Sequence, residues 1–538
     1  MSRLHRKVAL GAALVTLLPA AGAWSQTLSI GLSAEPTSVD PQFHNLSPNA
    51  QFADNIFESL VMRVADQSLQ PKLAESYKAV DDTTWVFKLR EGVTFSDGTP
   101  FTARDVIYSI CRVPLVENSP SPFTSYTQSI DDIIVGDDNT LTFKTNAPVP
   151  LFPVDMGQIA ILSASASGAE DAVTFGKDGC TGMGTLPAST AFNDPKVAIG
   201  TGPYKIESYA PGGEIVLTEN TSYWGEKPDF DRVVMRPITA AGPRVAALLA
   251  GDVDLIENPP IQDLKRIEDA GMTVKKALSN RVIYLALSQW GDDVPLIAGT
   301  DGKNPLMDKR VREALSLAIN REAIVALIMG GYAEAAGELL PPPAPGTTGR
   351  KPDAYDPKKA KELLAEAGYP KGFEITIGTP NDRYINDDQV AQAIAQMFSQ
   401  IGVKTHVDAV TASQFFARRN KQEFPIYLAG WGSSTGETSS PLRALIASYD
   451  KAAAMGTTNA ARYSNADVDA LIHEAVKTVD EDKRNALLQK AETLALDDWG
   501  LLPLHYEVTT WAMKPGVDMI ARADQMTVAS EIMLDTPE

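Results

Sequence analysis

Residues 71–109 constrain this chain more than any other stretch. Trp85, Phe87 and Leu89 alternate with Val86, Lys88 and Arg90, the period of a half-buried strand. Ser96-Asp97-Gly98 is turn chemistry, because glycine accepts positive φ and an Asp carboxylate bonds nearby backbone. Thr102-Ala-Arg-Asp105 then has capping-box spacing, which predicts a helix from Ala103 towards Ile110. Strand and helix signals keep alternating along the 538 residues, which argues an α/β fold, and the chain is too long for a single core. Thr27–Leu32, Thr140–Lys144, Ile215–Thr218 and Val403–Val407 read as strands, with His406 a strand residue facing water. Asp308 and Asp356 read as N-caps, the latter with Pro357 at the first helical position.

The order of side chains goes further than their local physics. The stretch resembles the family 5 solute-binding proteins of ABC importers, a group that carries peptides, glutathione, nickel and opines. Residues 73–76, 85–92 and 97–106 carry the likeness, which recurs in the family's order along the chain. It is seen at Gly200-Thr-Gly-Pro-Tyr-Lys205, at Val311–Arg321, at Tyr355–Leu364 with Ala367-Gly-Tyr-Pro370, and at Tyr463–Asp469. The resemblance implies a two-lobed periplasmic binding protein of the large three-part type, with a hinge between the lobes. Domain I would take residues 26–278, including a subdomain near 50–195, together with 505–538. Domain II would take 279–504. The crossings would fall near Asn280–Leu287 and Leu501–His505.

Compartment is read separately from the residues. Arg3, Arg6 and Lys7 precede an apolar run from Val8 to Ala23, and small residues follow at Ala21, Ala23 and Ser25. This is the pattern of a cleaved secretory signal peptide over residues 1–25, the alternative being an uncleaved anchor. With those three cations removed, the formal charge of −20 becomes −23, so nucleic acid is an excluded partner. The expected location is a periplasm. There, Cys111 and Cys180 are expected to pair as a disulfide, the alternative being two free buried thiols. The five histidines have no metal-ligand spacing, so no metal site and no cofactor are expected.

The ligand site is expected where the strand Phe424–Ala429 runs into Gly430-Trp-Gly-Ser-Ser-Thr-Gly-Glu437. Glycine lets backbone approach a ligand, Ser433, Ser434 and Thr435 carry hydroxyls, Trp431 is a flat apolar wall beside Gly432, and Glu437 is a candidate counter-charge for an ammonium. A plain Gly/Ser surface turn is the competing reading. By resemblance this is where the family contacts ligand. Peptide binders of the family carry an Asp a few residues after the Gly-Trp; Ser434 stands at the nearest position here, and the run is closer to the glutathione-binding branch. Arg383, with Tyr384, is a candidate for a ligand carboxylate, against the reading of a solvated surface arginine. Asn280 and Arg281 precede the expected hinge strand, and Glu35, Asn45 and Ser47 follow the first strand as weaker candidates.

The leading functional expectation is a monomeric binding component that captures peptides or peptide-like solutes in an interlobe cleft and delivers them to a membrane permease. The chain has no phosphate-binding Gly-x-x-x-x-Gly-Lys loop, so ATP hydrolysis would belong to separate subunits. Glutathione, an opine or a chelated metal is the alternative cargo. The remote alternative is a serine hydrolase, because Gly432–Gly436 matches Gly-x-Ser-x-Gly, with Ser434 as nucleophile and His505 downstream.

Overall fold

Alternation decides which core each buried strand residue joins. Between Val282 and Leu287 every residue is buried, and a sheet packed on both faces explains why the run is continuously apolar. Val282, Tyr284 and Ala286 enter one core, with Tyr427, Ala429 and Tyr506. Ile283, Leu285 and Leu287 enter another on the opposite face, with Ile375, Ile377, Leu428 and Leu504. The computed structural model describes residues 26–136, 139–176, 179–433 and 435–535. The signal sequence expected over residues 1–25, and Ser434, lie outside them.

The main sheet is built around two long antiparallel strands, Thr273–Leu287 and Leu502–Met513. On one side of this pair follow Leu255–Glu257, Thr27–Leu32, Arg232–Pro237, Ile215–Glu219 and Tyr204–Tyr209. On the other follow Ile426–Gly432, Glu374–Pro380 and Ile297–Ala298. Each long strand serves both halves. Thr273–Leu278 pairs with Met513–Val508, and Val282–Leu285 pairs with Tyr506–Leu502. The register shifts between Leu278 and Val282. A bulge there bends the strand locally. The apolar cores divide at the same place. Residues between Leu28 and Leu255, joined by Trp511, Met513 and Ile532, form one core, whereas those between Val282 and Tyr506 form the two cores named above.

A separate four-stranded antiparallel sheet orders Ala74–Asp81, Thr84–Leu89, Thr140–Thr145 and Ile130–Val135. Trp85, Phe87 and Leu89 are buried, as their period predicts, and Phe87 meets Phe143 edge-on at 5.4 Å. The turn places Gly98 at φ 87°, and Asp97 Oδ1 accepts the Thr99 N–H at 2.9 Å. The helix Ala103–Arg112 opens with the predicted box, the Thr102 N–H donating to Asp105 Oδ2 at 2.9 Å. Asp308 accepts the Arg310 N–H and Asp356 accepts the Lys359 N–H, capping Lys309–Leu317 and Pro357–Glu366. His406 lies largely exposed on Lys404–Val410, as expected. Cys111 and Cys180 are brought together with Cα atoms 5.9 Å apart, the separation a disulfide takes. No helix among the described residues is long and apolar enough to cross a membrane.

Candidate functional site

The strand Ile426–Gly432 is buried through Ala429 and half-buried from Gly430 onward, where it leaves the sheet beside the register shift of the long strand. Arg281 pairs with Gly432 there. Asn280 clamps the start of the loop: its Nδ2 donates to the Ser433 carbonyl at 2.8 Å, and the Ser433 N–H donates to the Asn280 carbonyl at 3.3 Å. Two glycines are required by geometry. A Cβ on Gly430 would lie 2.7 Å from both Ile283 and the Tyr384 ring, whose hydroxyl donates to the Gly430 carbonyl at 3.2 Å. Gly436 has φ +71°, and a Cβ on it would collide with the Arg63 guanidinium.

The loop's polar groups mostly satisfy the loop. Ser433 Oγ accepts the Gly436 N–H at 3.2 Å and donates to the Glu437 carbonyl at 3.3 Å; Thr435 Oγ1 donates to the same carbonyl at 3.2 Å. Trp431 Nε1 donates to Ser440 Oγ at 3.1 Å. Glu437 is only 4 % exposed, and its Oε2 accepts Arg484 Nε at 3.2 Å, Arg484 being 7 % exposed. Arg63, at the end of the strand Val61–Arg63, donates Nη2 to the Thr435 carbonyl and Nη1 to the Gln67 carbonyl. Burial lowers the Arg63 pKa, while the field of Glu437 opposes the shift. Glu437 therefore faces two arginines of its own chain.

Next to the loop, Arg281 Nε pairs with Glu507 Oε2 at 3.2 Å, and Glu507 Oε1 accepts the Ile385 N–H. Burial raises the Glu507 pKa, with Arg281 and then Arg383 among the opposing charges. Asp387 accepts the N–H groups of Arg383 and Tyr384 at 3.2 and 3.0 Å, which fixes both residues at the start of Asp387–Gln400. The Arg383 guanidinium lies 5.4 Å from the Tyr384 ring centre. It is exposed, and no carboxylate among the described residues is within ion-pairing distance of it.

The structure thus brings together Asn280, Arg281, Arg383, Tyr384, Trp431, Gly432, Ser433, Thr435 and Glu437. Asn45 belongs to a different group: its Nδ2 donates to Tyr126 Oη at 2.9 Å and its N–H to the Ser121 carbonyl. Arg63, Arg484 and Glu507 were missed by sequence reasoning. Arg484 alone left a trace there, a cation in the first turns of the helix Glu481–Asp497, where the dipole disfavours one. A cavity of about 840 Å3 lies elsewhere, between Pro36, Phe43, Arg112, Leu115, Tyr209 and the segment 186–190, and no residue of the 280–437 group lines it. The hydrolase reading needs an accessible base. His505 is 1 % exposed, neither ring nitrogen has a partner among the described residues, and burial lowers its pKa to about 4. It sits in the sheet opposite Ile283. No group of three or more His, Cys, Asp or Glu residues among the described residues is arranged to hold a metal.

The profile of bacterial extracellular solute-binding proteins, family 5 middle, matches residues 68–453. The glutathione-binding protein GsiB of Shigella dysenteriae is 28 % identical over 515 residues, covering 94 % of each chain. Among solved structures, the unliganded open form of the periplasmic murein tripeptide binding protein MppA superposes with a TM-score of 0.77 at 23 % identity, covering 95 % of this chain and 98 % of that one. The periplasmic binding protein DppA of Helicobacter pylori, in complex with the peptide STSA, gives 0.68 at 25 % identity over the same shares.

Proposed function

The chain belongs to family 5 of the bacterial extracellular solute-binding proteins, and we propose that it is the periplasmic receptor of an ABC importer for peptides or peptide-like solutes. The relatives named for glutathione and for peptides support that cargo class. In this reading residues 26–278 with 505–535 form one lobe and 279–504 the other, and ligand binds between them. The two long strands act as the hinge, the shift at 279–281 giving them a place to bend. Closure follows binding because the closed state gains contacts to ligand that the open state lacks. The closed receptor then docks on a permease whose ATPase subunits are separate chains. The leader over 1–25 is cleaved on export, and Cys111 and Cys180 are bridged in the oxidising compartment.

One observation carries the ligand chemistry. Arg383 stands exposed over Tyr384 with no ion-pair partner among the described residues, beside a loop whose own acid is already held by Arg484. An unpaired guanidinium offers a planar fork to a carboxylate, so the ligand is read through a carboxylate on this side. Glutathione, a tripeptide with two carboxylates, fits this chemistry as well as an ordinary short peptide does. Arg383→Ala is expected to weaken binding of glutathione or a dipeptide by about 10- to 100-fold, the loss of a charge-assisted hydrogen bond of roughly 1.5–3 kcal/mol. The thermal midpoint of the unliganded protein should stay put, because the side chain is exposed. Calorimetric titration of both proteins checks this, and an unchanged affinity contradicts it.

A further inference from the structure

We propose that Asp155 is the acceptor for the ammonium group of the ligand, a role that Glu437 does not fill. The inference rests on the peptide-type reading above and names the residue that reads the ligand's positive end. Asp155 lies on the short helix Phe152–Met156, which Phe152, Pro153 and Met156 anchor in the core. The Asp155 side chain is partly exposed, and its carboxylate has no hydrogen bond or ion pair among the described residues. The carboxylate is half-buried, so it loses part of its hydration with no partner among the described residues to replace it.

Placement connects the residue to the ligand loop. The end of its helix packs on the strand Val61–Arg63, where the Val61 carbonyl lies 3.1 Å from the position of a Cβ on Gly157. Two residues along that strand, Arg63 reaches the Thr435 carbonyl. Beside Asp155 stands Tyr126, whose phenol burial raises in pKa, with the Asp155 charge adding to the shift. Tyr126 Oη accepts from Asn45 Nδ2 at 2.9 Å, and Asn45 Oδ1 carries no hydrogen bond among the described residues. Asn45, named from sequence and left apart from the loop, thereby gains a role. An ammonium has three donors, and the Asp155 carboxylate with the Asn45 carbonyl supplies acceptors for it.

Burial raises the Asp155 pKa to about 7, and no cation or second carboxylate among the described residues acts on it. Tyr126, on the neighbouring helix Thr124–Thr127, is the titratable group that faces it. The folded protein holds this proton more tightly than the unfolded chain, so the site favours folding at low pH, and that contribution is lost as pH rises through about 7. An amide at this position removes the cost. A bound cation removes it too, and must displace the proton when pH is low.

The test uses Asp155→Asn in the processed protein, with glutathione, N-acetylglutathione and short peptides bearing free or acetylated N-termini as probes. At about pH 8 the variant is expected to show a higher unliganded thermal midpoint than the parent, and at least tenfold weaker binding of probes with a free ammonium. Acetylated probes should bind parent and variant alike. The parent's affinity for free-amine probes should fall as pH is lowered from about 8 to 6, and the variant should lose that slope. If the parent binds free and acetylated probes equally, or the variant binds free-amine probes as the parent does, the assignment of Asp155 is wrong and the peptide reading stands. If the parent binds none of the probes, the peptide reading fails and takes this inference with it.

Discussion

Replacing Arg484 with methionine is expected to lower the unfolding free energy by about 3–5 kcal/mol, the cost of breaking a buried ion pair from one side. The reason is the state left behind. Glu437 is 4 % exposed, its Oε1 has no partner among the described residues, and its Oε2 relies on Arg484 Nε. Arg484 Nη1 also donates to the Thr478 and Val479 carbonyls, so the substitution frees three acceptors at once. Adding Glu437→Gln should recover much of the loss, since the uncompensated charge goes with it. Urea midpoints of the single and double variants measure both effects. A stable Arg484→Met protein that no longer binds amine-bearing ligand would mean that the Glu437 carboxylate serves ligand after all.

The second large effect concerns Cys111 and Cys180, which are separated by 69 positions in sequence. Closing so long a loop restricts the unfolded chain, and in the chain-entropy model the bridge contributes about 4 kcal/mol. In the proposed bridged form the end of Ala103–Arg112 is tied to the segment that leads into the 186–190 wall of the cavity. Its neighbour Arg112 is 2 % exposed and holds the buried Asp40 at 2.6 Å, so slack here would also loosen a buried ion pair. Cys111→Ala with Cys180→Ala, or reduction of the parent by dithiothreitol, should lower the midpoint by matching amounts. Identical midpoints in oxidised and reduced protein would show that the bridge does not constrain the chain.

Local chemistry was readable and long-range pairing was not. Trp85 to Leu89, the Asp97-Gly98 turn and the Thr102–Asp105 box depend on residues within a few positions of one another, and the structure has each as expected. The helices capped by Asp308 and Asp356 are of the same kind. The site behaved differently because its partners are distant in sequence. Glu437 meets Arg484 across 47 positions, and Thr435 meets Arg63 across 372. Neither pairing has a local signature; both follow from which strands the sheet sets side by side. Ser433 and Thr435 are candidate ligand contacts because a hydroxyl both donates and accepts. In the structure they also close the loop on the Glu437 carbonyl, since a loop at the edge of a core must satisfy its own backbone. Asn45 was picked out for following the first strand, but its link to Asp155 through Tyr126 needed the packing of two short helices.

In the proposed function a carboxylate-bearing peptide or glutathione binds between the lobes and draws them together. Small-angle X-ray scattering of the ligand-stripped, processed protein, before and after saturation with a ligand found by calorimetry among glutathione and di- to pentapeptides, tests it most directly. One ligand per chain and a radius of gyration that falls on binding are expected. Binding that leaves the radius unchanged, or no binding by any of these solutes while a non-peptide solute binds, would contradict it.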